Sequence, residues 1–120
     1  MMEPSEITKY RHDLEVVRDT AEQVIRDFGL AGLEVKFSGD HETAYKELYE
    51  QVAPHLKALY DKNTTGFMAL LYRIDVDERK VNRLSEEYKG VAFFNELAGL
   101  VLEREFMKVM YRKLFRHLNG

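Results

Sequence analysis

No cysteine occurs in the 120 residues. That excludes disulfides, thiolate zinc sites and thiol catalysis. Tryptophan is absent too, and proline is confined to Pro4 and Pro54. Charge interrupts every apolar stretch well before the ~18 residues a membrane-spanning helix needs, so no membrane partner is expected. Met1 to Glu6 carry neither a basic nor an apolar leader region, which makes the cytoplasm the expected compartment. Excess positive charge is lacking as well. The net charge is −3, which argues against nucleic acid, whose phosphates select for a basic surface.

Against these absences stands ample core material. Hydrophobic residues make up 45% of the chain, and fourteen of them are Phe or Tyr. A single domain spanning 1–120 can bury enough of this to fold without staples. The last thirty residues, Val91 to Gly120, are the most telling. Phe94, Leu97, Val101, Phe106, Met110, Leu114 and their neighbours cannot share one narrow stripe. A helix apolar on most sides is buried by its own domain or by a partner. The expectation is an all-α fold. It is an antiparallel bundle of four main helices, one kinked or split, around a long C-terminal helix.

The remaining elements follow from periodicity. Ile7, Tyr10, Leu14, Val17, Ala21, Val24 and Phe28 repeat at 3-4 spacing, so helix one is expected from Ser5 to Phe28, with Gly29 ending it. Leu33, Val35 and Phe37 alternate with Glu34 and Lys36 as a strand does. This short extended segment is either a crossover over the bundle or an edge that pairs with a second chain. Helix two is expected from Asp40 to Lys62, kinked at Pro54. Phe67 to Ile74 reads as a short apolar helix and Glu78 to Tyr88 as a polar one. Between them, Asp75 and Glu78 have capping-box spacing; with Asp77 as the cap instead, Val76 and Val81 form a hydrophobic staple.

Chemical motifs are mostly excluded by spacing. A di-iron bundle needs Glu-x-x-His pairs, and the residues three before His12, His41, His55 and His117 are Lys9, Ser38, Val52 and Leu114. No glycine-rich phosphate loop occurs. The acids Asp75, Asp77 and Glu78 do not fit a calcium loop. No cofactor or metal is expected. His55 lies beside the apolar seam of helix two, next to Pro54, as a candidate ligand or proton carrier or a half-buried hydrogen-bond donor.

The sharpest candidates are Glu103, Arg104 and Glu105, which point about 100° apart on the C-terminal helix, so at least one faces the packed side. A buried carboxylate needs a partner. Arg73 is one, and Arg104 can likewise serve Asp75. The expected ligand pocket is lined by Arg73, Asp75, Glu103, Arg104, Glu105, His55 and Tyr72, the alternative being an ion pair that sets helix register. Three functional readings follow. The first is a non-catalytic interaction or adaptor module, self-associating as a homodimer or binding another protein. The second is a bundle that binds a small molecule or metal in that pocket. The third uses the basic tail Lys108, Arg112, Lys113, Arg116 and His117 on nucleic acid.

Overall fold

The computed structural model describes residues 13–119, with side chains through Arg116. Five helices occur among them: α1 Leu14–Leu30, α2 Ala44–Lys62, α3 Thr64–Ile74, α4 Glu78–Glu87 and α5 Val91–Asn119. Each local boundary has a chemical cause. Asp13 caps α1 by accepting from the amides of Glu15 and Val16 at 2.9 and 3.1 Å. The expected start at Ser5, with Ile7, Tyr10 and His12, lies outside the described residues. α1 runs past Gly29 and ends where Gly32 takes φ +80°. The amide of Leu33 donates to Phe28 and that of Gly32 to Gly29, a Schellman motif, so Gly32 is the left-handed terminator. α2 starts at Ala44 rather than Asp40, because Asp40 caps a separate turn through the amide of Glu42. It continues through Pro54, which is exposed.

α5 organises the rest. α1 runs antiparallel to it, since Glu15 meets Lys113 while Asp27 meets Lys108. α2 does the same, with Tyr45 against Phe106 and Tyr60 against Phe94. α1 and α2 are therefore parallel to one another, and the chain must travel back along the bundle between them. The Leu33–Phe37 segment makes that return. Leu33, Val35 and Phe37 face inward, with Val35 only 4% exposed. α3 then runs parallel to α5, and α4 returns antiparallel, turning at Gly90 with φ +58°.

The crossover has no neighbouring strand, so α2 side chains take that place. Gln51 accepts from the Lys36 amide at 2.8 Å and donates to its carbonyl at 2.7 Å. Glu47 accepts from the amide and hydroxyl of Ser38, and the His55 ring bonds the Glu34 carbonyl at 2.7 Å. The match is geometric: four helical residues rise about 6 Å, and two extended residues about 6.6 Å. Residues 47, 51 and 55 thus meet 38, 36 and 34 in register. With one edge held by α2 and Val35 closed off, the segment is a crossover.

The apolar core falls into two clusters. The larger joins α1, α2, α3 and α5 around Phe28, Leu56, Leu70, Ile74, Leu97 and Val101. The smaller, at the other end of α5, gathers Val16, Phe106, Val109 and Met110. Buried Thr20 on α1 and Glu105 on α5 fall between them in helical register, while buried Gln23 and Asp27 lie beside Ala21, Val24 and Phe28 of the larger cluster. α4 buries none of its residues fully.

Candidate functional site

The chain makes a sharp corner between α3 and α4. Asp75 adopts the left-handed conformation, φ 67° and ψ 47°. Its amide donates to Tyr72 and the Val76 amide to Leu71, so α3 closes with a Schellman motif too. Asp75 is therefore the end of α3 and not a cap on α4. Asp77 is the cap: its carboxylate accepts from the Arg79 amide at 2.9 Å, which holds the Asp77 carboxyl below the usual range. Buried Val76 and half-buried Val81 occupy the two staple positions. Arg104 straps the corner to α5, donating from Nε to the Asp75 carbonyl at 3.0 Å and from its terminal nitrogen to the carboxylate at 2.8 Å.

Two depressions flank this corner and share Asp75, Val76 and Asp77. One, about 410 Å³, lies against α5 over Leu100, Glu103, Met107 and Tyr111. The other, about 540 Å³, lies between α3 and α4 over Met68, Leu71, Tyr72 and Val81. Together they form a trough with an apolar floor and an acidic corner. No serine, cysteine or histidine among the described residues lines it. Among the described residues no three metal-ligating side chains gather.

The expected pocket residues do not converge in one place. Asp75, Arg104, Glu103 and Tyr72 all line the trough, and Tyr72 is 86% exposed on its rim. Arg73 is exposed and makes no ion pair with a described residue. His55 braces the crossover, its ring 6.5 Å from Phe28. Glu105 points the opposite way from Glu103, toward α1, and is 0% exposed.

Around Glu105 lies a second cluster that sequence reasoning only half reached. The Lys108 ammonium sits 2.9 Å from Glu105 Oε1 and 3.3 Å from Asp27 Oδ2. Its approach to Glu105 is off the hydrogen-bonding direction, so both Glu105 oxygens lack a hydrogen-bond donor. Gln23 donates to the buried Asp27 carboxylate at 3.1 Å. Burial, and then the neighbouring Asp27, push the Glu105 carboxyl up to about 8 against the pull of Lys108. Lys108, expected as part of the basic tail, turns inward to Glu105 and Asp27 instead. Asp27 and Gln23 were not anticipated. Their signal is a second 4-3-4 stripe on α1, Val16, Thr20, Gln23 and Asp27, one position ahead of the apolar one.

No protein-family model matches the chain, and neither a curated protein nor a solved structure matches it. No helix among the described residues is long and apolar enough to cross a membrane.

Proposed function

We propose that the protein is a cytoplasmic, non-catalytic helical module whose partner is a second copy of itself. The observation that carries this reading is the outer face of α5. Leu100, Arg104, Met107 and Tyr111 follow one another at 4-3-4 spacing, the spacing of a helix-pairing seam. α4 reaches only the start of this seam. Tyr111 is 41% exposed, and Phe115, one turn on, is 67% exposed. Exposed aromatic residues beside arginines suit an interface core.

Charge supports a second copy as the occupant. The seam is acidic near Asp75, Asp77 and Glu103, and basic at Arg112 and Arg116. In an antiparallel pair, residue 115 of one copy lies opposite residue 104 of the other, a stagger of about 16 Å. Arg112 and Arg116 then approach the acidic corner of the second copy, and the relation holds in both directions, as a two-fold axis requires. A small apolar molecule in the trough is the second reading, favoured by the volume of about 540 Å³ of its depression between α3 and α4.

Light scattering over a hundredfold concentration range tests the reading. The expected mass rises from 14.1 kDa toward twice that value. Tyr111→Glu is expected to weaken the dimer at least tenfold, or about 1.4 kcal/mol. A monomer at every concentration overturns self-association and leaves the trough as a ligand groove.

A further inference from the structure

We propose that Glu105, Asp27 and Lys108 form a proton-operated latch that holds α1 on α5. The argument begins with charge. Two carboxyls and one ammonium share a site in which both carboxyls are buried, Glu105 0% exposed and Asp27 5%, while the Lys108 side chain keeps 21% exposure. With one proton on the carboxyl pair the site is neutral. The proton sits on Glu105, where it can be shared with Asp27, while Lys108 balances the remaining negative charge. When that proton leaves to solvent, two carboxylates face a single ammonium, and the site carries a net charge of −1. A buried uncompensated charge is among the most destabilising features a fold can hold.

Among the described residues no second cation pairs with Asp27 or Glu105. On α1, Gln23 supplies the only further donor, to Asp27, and Arg26 stops at the Gln23 side-chain oxygen, 3.4 Å away. On α2, Lys46 pairs with Glu50, Glu47 with Ser38 and His55 with Glu34, and the Tyr45 ring lies against Phe106 beside the site. α3 offers Tyr72 and Arg73, both exposed. The cluster also lies on the packed line between α1 and α5, with Asp27 beside Phe28 and Glu105 between Leu102 and Phe106, so its repulsion acts on the contact that holds the two helices together.

The sign follows from linkage. In the unfolded chain Glu105 ionises near 4.5, and in the fold near 8. Between these values the folded state keeps a proton that the unfolded state has lost, so stability falls as pH rises. One linked proton changes the folding constant about tenfold per pH unit across that window. Above pH 8 the latch is open, and α1 loosens ahead of the other helices.

Three measurements on the intact chain test this. The Glu105 carboxyl is followed by carbon NMR, the folding constant by urea titration from pH 5 to 9, and helix opening by amide exchange corrected for the unfolded chain's own pH dependence. The expected results are a carboxyl that titrates near 8 and a folding constant that falls about tenfold per unit more steeply than in Glu105→Gln. Above pH 8, protection should be lost at residues 20–28 before α2 and α3, a selective loss missing from the variant. A carboxyl that titrates near 4.5, equal slopes in the two proteins, or protection lost evenly across the helices would each overturn the latch. Should Glu105→Gln not fold, the titration and the exchange pattern of the natural chain decide the matter by themselves.

Discussion

Two residues end their helices in the same way and differ in what that conformation requires of them. Gly32 terminates α1 at φ +80°, and Asp75 terminates α3 at φ +67°. Glycine holds the left-handed region without strain, whereas a residue with a Cβ gives up about 1 kcal/mol. The compensation at Asp75 is its bond to Arg104, but its side chain is 78% exposed, and exposed ion pairs contribute at most about 1 kcal/mol. Arg104 would keep its bond to the residue-75 carbonyl whatever the side chain. Asp75→Gly is therefore expected to raise the urea midpoint, by up to about 1 kcal/mol. A lower midpoint would show that the carboxylate pair outweighs backbone strain. The Asp77 cap and its Val76–Val81 staple were legible in the sequence, because both depend on neighbours within five positions. The role of Asp75 was not. Capping-box spacing to Glu78 competes with a left-handed turn, and the turn is chosen by the packing of α3 on α5.

At the scale of elements, the crossover is the part whose stability is most local in cause. Its alternating pattern was visible as a strand with no partner. The partner is a row of side chains spaced along α2, and nothing in helical periodicity announces that Glu47, Gln51 and His55 will serve as a sheet edge. Gln51 alone satisfies both backbone groups of Lys36. Gln51→Ala is expected to cost about 1–3 kcal/mol, measured by urea unfolding, since two backbone groups lose their partner. Because the segment is near the surface, water can replace part of the loss, and a change below about 0.5 kcal/mol would show that Gln51 is not needed to hold the crossover. The hydrogen bonds from Ser38 and Thr43 hold the Glu47 carboxyl below its ordinary range, consistent with its service as an acceptor in the same row.

For the whole molecule, the division of the core decides most. A polar belt runs beside the apolar contact between α1 and α5, which is also held by Lys113, lying between Glu15 and Asp19. Burial pulls the Lys113 ammonium down, but the two acids outweigh it and hold it above its usual value. Removing one member of the belt differs from removing all of it. Lys108→Met leaves two buried carboxyls without a cation and is expected to cost about 3–5 kcal/mol. Replacing Asp27, Glu105 and Lys108 together by Leu, Leu and Met would put apolar contact where the buried charges stand, and the melting temperature is expected to equal or exceed that of the natural chain. A triple variant as unstable as the single one would mean that the belt is held by its packing shape and not by its charge balance.

The sequence alone determined the all-α class, the central place of the C-terminal helix, the extended character of residues 33–37, though not their role, and the break between Ile74 and Glu78. These rest on periodicity, capping and turn chemistry, which act over a few residues. It also required that one of Glu103, Arg104 and Glu105 be buried, since three consecutive helical positions cannot all face water on a helix packed on most sides. Only the tertiary structure decided that Glu105 is the buried one, that Asp27 and Lys108 meet it, and that Arg104 turns outward to Asp75. The reason is that the rotation of α5 about its own axis is set by contacts with α1 and α2, dozens of residues away, and local pattern carries no information about that angle.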